Sequence, residues 1–190
     1  MLEATRSLLV TGGLGAVTIA EVARRSETSN GSIYHRFGGR TGLLLAVQAR
    51  SFDEINTETA EAFVRADRAL TEGADRTEVA EALAATALGI FRRHHGAFRA
   101  FLVECRGVAE LEQSTTNFLH ALSAEVTAWL RDRLGAGPSG AEAAWRLLFS
   151  IGAASALVDD HRVSPATLSD DVFAGAVAAA VLAVIEPPPL

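Results

Sequence analysis

The chain has 190 residues, 49% hydrophobic and 21% charged, enough apolar surface to offset the entropy of ordering one globular domain or a small module joined to a larger one. Its 16 glycines follow no three-residue period and its single cysteine, Cys105, cannot form an internal disulfide, which excludes collagen-like and disulfide-stapled folds. The net charge is −6, yet residues 1–50 hold six arginines against three glutamates, so a +3 head precedes a −9 remainder. That split suits a polyanion-binding module joined to a part that need not touch the polyanion; a solvated surface accounts for +3 equally well.

Alanine, leucine, glutamate and arginine dominate and no β-branched alternation is sustained, so the predicted fold is all-α, with about nine helices. Residues 2–11 form the first helix, stopped by Gly12-Gly13 and Gly15. Thr18-Ile19-Ala20-Glu21 has the form of a capping box and opens a second helix to about Arg25. Ser26-Glu27-Thr28 is a short turn, Ser29 caps a third helix ending near Arg36, and Gly38-Gly39 stops it. Thr41 caps a fourth helix, from Gly42 into the mid-sixties, and the Glu72–Asp75 stretch reads as a loop. Further helices are expected over Thr77 to His95, Ala97 to Cys105 and Glu110 to Leu134. Ser139 caps the next, to about Asp160, and Ser169 caps the last, ahead of Pro187-Pro188-Pro189.

The start, Met1 to Arg6, has an acid at position 3 and no basic stretch ahead of an apolar one, so no secretory signal is expected. The longest uncharged apolar run, Val172–Ile185, has 14 residues where a membrane span needs about 20. It reads as a buried helix; no membrane partner and a cytoplasmic location are expected.

The first fifty residues carry the chemistry. Ile19, Val22 and Ala23 give the second helix one apolar side, and Ile33 and Phe37 anchor the third. Two turns with two anchors cannot stand alone, but suit the second helix of a helix-turn-helix. Its other side presents Asn30, Ser32, Tyr34, His35 and Arg36. Ser29, Asn30 and Gly31 lie at the helix N-terminus, where free N–H groups favour a phosphate. Tyr34 and His35 can pack rings on sugar or thymine methyls while their polar atoms reach phosphate oxygens. A small helical subdomain with functionless exposed rings is the alternative on composition alone.

The order Thr18-Ile19-x-x-Val22-Ala23, then Ser29-x-Gly31-x-Ile33-Tyr34-His35-x-Phe37-x-Gly39-Arg40-x-x-Leu43-Leu44, closely resembles the DNA-binding segment of the TetR (tetracycline-repressor-like) family of bacterial regulators. The resemblance implies a helix-turn-helix head over residues 1–48 and a helical ligand-binding and dimerisation body over 49–190. By it, Thr18 and Arg40 become backbone-phosphate contacts, and Ser29, Asn30, Ser32, Tyr34 and His35 the recognition-helix contacts, with Gly31 admitting the DNA backbone closely. Two features depart from the family. Its usual Ala-Gly-Val turn is here Ser26-Glu27-Thr28, so another residue must adopt the glycine's geometry, and Glu27 brings a negative charge near DNA. The family also tends to have a basic stretch ahead of the first helix, whereas this chain starts almost at the helix; a missing minor-groove arm and a start codon assigned too late both stay open.

Beyond residue 50 the resemblance is architectural. Trp145–Val158 and Val172–Ile185 are apolar nearly all round, so they need cover on all sides. Gly152, Ala153, Ala156, Ala176, Ala179, Ala180 and Ala183 would let a second copy approach in a two-fold four-helix interface; an intramolecular core is the alternative. Candidate walls of an effector pocket are Phe91, Phe98, Phe101, Leu102, Phe118, Leu122, Trp145 and Phe149, with Cys105, Asn117, His120 and Glu104 as polar handles; each aromatic taken singly is more often core than pocket. Catalytic and metal readings fare worse. Adjacent His94-His95 point about a hundred degrees apart on a helix, Asp159-Asp160-His161 reads as a solvated helix end, and Cys105 resembles no nucleophile motif.

The expected protein is a homodimeric transcriptional regulator, a repressor released from a double-stranded DNA operator by a small, largely apolar effector, with no cofactor, metal or enzymatic activity. The rival readings are a ligand- or protein-binding module of the same fold with weak operator affinity and, more distantly, a small helical enzyme.

Overall fold

The computed structural model describes residues 1–166 and 168–185. Among them every regular element is helical: α1 (Leu2–Ala16), α2 (Ile19–Arg25), α3 (Asn30–Phe37), α4 (Arg40–Thr71), α5 (Arg76–Arg93), α6 (His95–Phe98), a π-helical turn (Arg99–Glu104), α7 (Ala109–Leu134), α8 (Pro138–Leu157), α9 (Asp160–Val163) and α10 (Asp170–Ile185). The residues form two compact units, one of residues 1–55 and 94–118, the other of 56–93 and 119 onward. The expected proline stop at 187–189 lies outside the described residues.

The first unit is built around leucine, isoleucine and phenylalanine. Leu8, Leu9, Val17, Val22, Ile33, Leu43, Leu44, Phe101 and Leu111 are all buried. Phe52 stacks on Phe118 at 3.9 Å between ring centroids and meets the edge of Phe101 at 6.0 Å. Gln48 is fully buried, yet its amide nitrogen donates to the Leu111 carbonyl at 3.0 Å and the Thr115 hydroxyl at 2.9 Å. A buried donor without partners would cost about 1–3 kcal/mol, so these bonds fix α4 against α7 within the unit.

Helix α1 runs past its expected stop, but only through a break. Gly13 leaves helical geometry at φ 67°, ψ −168°, and a final turn reaches Ala16. The Leu14 N–H freed by the break donates to Glu104 at 2.5 Å. Arg99, on the same π-helical turn, donates to the Leu9 and Val10 carbonyls at 2.7 and 3.2 Å and pairs with Glu104 at 3.3 Å. The expected plain helix over Ala97 to Cys105 is therefore α6 followed by a wider turn.

In the second unit α10 packs against α5 and α8. Its buried positions, Ala174, Val177, Ala178, Val181 and Ile185, recur at three- and four-residue steps. Gly140 and Gly152 bring the backbones close: a Cβ at Gly140 would meet the Val184 carbonyl at 2.8 Å, and one at Gly152 the Phe91 ring at 2.1 Å. Phe63 stacks on Trp129 at 5.1 Å, whose indole N–H donates to Asp67 at 3.0 Å. Opposite the buried side of α10, Val172, Ala176, Ala179 and Ala183 form an exposed stripe without a charge.

Three helix starts differ from expectation. Gly39 accepts the first backbone bond of α4, from Leu43, which puts Thr41 inside the helix rather than at its cap. Gly137 caps α8 and Pro138 takes its first position, where a missing N–H costs nothing, so Ser139 is also internal. Asp75 and Glu78 exchange bonds to each other's backbone N–H at 2.8 and 3.1 Å, a reciprocal cap that starts α5 before Thr77. Ser169 caps α10 as expected, accepting from Val172 at 3.4 Å.

Candidate nucleic-acid interface

The site is α2, its turn and α3. Thr18 caps α2, its hydroxyl accepting the Glu21 N–H at 3.2 Å. Val22 and Ala23 face inward. Glu21 faces outward and binds Arg24 through two bonds, at 2.9 and 2.7 Å, and Arg25 at 2.8 Å. Hydrogen bonds from the two guanidinium groups hold its carboxyl at about 2, well below the usual 4.5.

The turn closes as a Schellman motif. Glu27 N–H donates to Arg24 and Thr28 N–H to Ala23, at 3.4 and 3.0 Å, which requires a left-handed residue between them. That residue is Glu27, at φ 50°, among the described residues the one non-glycine with positive φ. The geometry that the family leaves to glycine is thus kept here by a glutamate.

Ser29 then caps α3, accepting from the Ser32 N–H at 3.1 Å, with the two hydroxyls 2.9 Å apart. Ile33 is fully buried and Phe37 half-buried, while Asn30, Gly31, Ser32, Tyr34, His35 and Arg36 are exposed. Tyr34 leaves 57% of its surface open, a large aromatic side chain facing solvent. Gly38, at φ 74°, ends the helix. The result is a short, anchored helix whose outer face offers two hydroxyls, an amide, a phenol, an imidazole and a guanidinium.

Arg40 has a different engagement. Its Nε donates to the Val17 carbonyl at 2.6 Å and its Nη2 to the Leu14 carbonyl at 2.7 Å. The guanidinium fork ties the start of α4 to the end of α1, a bidentate role that lysine cannot copy.

Of the candidate pocket residues, Phe98, Phe101, Cys105 and Phe118 are buried in the first unit, with Leu102 half-buried. The Cys105 thiol donates to the Phe101 carbonyl at 3.0 Å, and burial pushes its pKa up, so it is no activated nucleophile. Asn117 is exposed and accepts from Gln113. In the second unit Phe91 and Leu122 are buried, Trp145 and Phe149 half-buried, and His120 exposed. Phe149 touches both Phe91 and Trp145, at 5.8 and 5.5 Å. A cavity of about 570 Å³ in this unit lies elsewhere: Leu88, Ile151 and Phe173 are on its wall, and none of the twelve candidates is. Of the candidate interface residues, Gly152 is covered by Phe91 of its own unit; Ala176, Ala179 and Ala183 are exposed, and Ala153, Ala156 and Ala180 half-buried. Sequence reading missed the Arg40 clamp and this cavity.

Residues 1–47 match the family model of bacterial regulatory proteins, tetR family. That match covers α1, the helix-turn-helix of α2 and α3, and the start of α4. No curated protein matches the chain. Among solved structures, a tetR-family regulatory protein from Rhodococcus RHA1 superposes with a TM-score of 0.73 at 15% identity, over 97% of this chain and 94% of that one. FadR of Bacillus subtilis, in complex with stearoyl-CoA, gives 0.66 at 13% identity, over 97% of each. The ketosteroid transcriptional regulator KstR2 of Mycobacterium tuberculosis gives 0.64 at 16%, over 97% and 92%. The chain therefore has the all-α fold of these regulators, with its helix-turn-helix at the N-terminus, and no helix of its described residues is long and apolar enough to cross a membrane.

Proposed function

We propose that the chain is a homodimeric repressor that binds a double-stranded DNA operator through α2 and α3 and leaves it when a small, largely apolar effector binds the body. The observation that carries the reading is the outer face of α3: Ser32, Tyr34 and His35 exposed on a helix held in place by buried Ile33. Asn30 and Gly31 begin that helix at its positive end, which suits a phosphate. Thr18 and Ser29, both capping residues, sit beside it as backbone contacts.

The apolar stripe Val172, Ala176, Ala179 and Ala183 supports dimerisation, because a second copy would remove it from water. In dimers of this kind the two heads read half-sites about 34–36 Å apart, or a multiple. An effector that prefers a dimer with mismatched head spacing releases DNA by shifting populations. A neighbour in complex with stearoyl-CoA, which has a long apolar chain, and another named a ketosteroid transcriptional regulator both support an apolar effector.

A second reading draws on Glu27 and on the Glu21 carboxylate that pairs with Arg24 and Arg25 and offsets part of their charge: a module of this fold with weak operator affinity. Fluorescence anisotropy with labelled DNA from upstream of the protein's own reading frame separates the two. Sequence-specific binding at physiological salt supports the repressor; equal, weak binding to all DNA supports the module.

A further inference from the structure

Among the described residues nine large hydrophobic side chains are exposed, and five of them, Leu157, Val158, Val163, Leu168 and Val172, fall within sixteen positions. Such a concentration marks a surface shaped to be covered. Three of the five, Val158, Val163 and Leu168, help to line the 570 Å³ cavity of the second unit. The volume lies within the roughly 300–1,000 Å³ typical of small-molecule sites.

The described lining also carries charged groups. Arg92 and Asp170 form an ion pair at 2.7 Å, and Asp159 adds a further carboxylate. The Ser155 hydroxyl, also on the wall, donates to the Ile151 carbonyl at 3.0 Å and keeps its lone pairs for a donor. The deeper wall is apolar, with Leu88 buried and Phe173 and Ile151 half-buried. Apolar walls beside a carboxylate and an accepting hydroxyl fit a ligand with an apolar body and an ammonium group that can donate to both.

We infer that this cavity, between α5, the end of α8 and the start of α10, is the effector site, and that it takes a compact aliphatic or aromatic amine. The inference rests on the reading of the body as effector-binding and names the place and chemistry of that binding. An anionic head would face Asp159 and would have to displace Asp170 from Arg92, so it is disfavoured.

The test uses the full chain and three probes with one ten-carbon tail: decylamine (protonated at pH 7), 1-decanol and decanoate, titrated by isothermal calorimetry. Decylamine is expected to bind at least fivefold more tightly than decanoate, with decanol between. Ala154→Trp, which fills the cavity from α8, and Val163→Trp, which fills it from α9, are each expected to weaken decylamine at least tenfold. Decanoate binding best, or decylamine unaffected by both substitutions in folded protein, overturns the inference. So does loss of the dimer in Val163→Trp with no probe bound by the wild type, since a second copy would then be the occupant. Operator binding, measured separately by anisotropy, keeps the two failures apart: DNA binding without probe binding sinks the cavity alone, and probe binding without DNA binding sinks the repressor reading alone.

Discussion

Replacing Glu27 with glycine tests the turn on which the interface depends. A side chain at φ 50° brings its Cβ close to the following carbonyl oxygen, at a cost of about 1–2 kcal/mol, which glycine avoids. Glycine in turn gives the unfolded chain more freedom, worth about 0.5–1 kcal/mol. Removing an acid from the C-terminal end of α2 adds about 0.3 kcal/mol at an exposed site. The net expectation for Glu27→Gly is a gain near 1 kcal/mol, or about 2–4 °C in melting temperature for a chain of this size. Glu27→Gln separates the contributions, since it removes the charge and keeps the strain; it should gain only the few tenths due to the helix end. Both variants should tighten binding to operator DNA severalfold at low salt and converge with wild type at high salt, because an exposed charge acts over about a Debye length. Differential scanning fluorimetry and anisotropy read the two effects. If Glu27→Gly were no more stable than Glu27→Gln, the left-handed turn would not be strained and the reasoning would fail.

Further outcomes follow from single side chains. Arg40→Ala should lower head stability by about 1 kcal/mol, and Arg40→Lys should restore little of it, because an ammonium cannot reach both the Val17 and Leu14 carbonyls; urea melts of the two variants check this. Ala179→Arg puts a charge on the exposed stripe of α10 and should yield a folded monomer by light scattering, with weaker operator binding from an intact head; an unchanged dimer would move the interface elsewhere. Glu21 should titrate by NMR with a midpoint near 2 rather than 4.5. Its folded pKa is depressed, so its stabilising effect is complete above pH 4.5 and disappears as pH falls towards 2; Glu21→Gln should lose that part of the acid dependence. Tyr34→Ala should alter the ranking of operator sequences more than the salt slope, as measured by competition anisotropy.

The head was legible in the sequence because its signals are local. Thr18, Ser29 and Gly38 act on backbone groups within a few residues, and each does what its type predicts. Thr41 and Ser139 misled because a competing cap lay just upstream: Gly39 and the Gly137-Pro138 pair begin their helices first. Missing glycine in the turn was visible as an anomaly, and the answer, a left-handed Glu27, needed coordinates. The Arg40 clamp was not legible because its two carbonyl partners, 23 and 26 positions away, leave no trace in the local pattern. The same holds for the cavity, whose polar groups come from α5, α8, the segment after α8 and α10 and share no sequence spacing. Aromatic residues drew attention instead, and most of them are core.

The head borrows its closing groups from far along the chain: Glu104 accepts the Leu14 N–H, Arg99 donates to two α1 carbonyls, and the Gln48 amide nitrogen finds its acceptors at Leu111 and Thr115. At about 5–20 residues per second, the ribosome needs roughly 4–14 s to travel from residue 48 to residue 118. For that interval a nascent head has all the exposed side chains of α3 but neither the seal on α1 nor the partners for its buried amide nitrogen. A gene fragment cut at residue 48 would leave it in that condition permanently. Transplanting this reading head onto another effector domain therefore means carrying residues 94–118 along with it, and the unit that evolution or a designer can exchange is discontinuous in the gene.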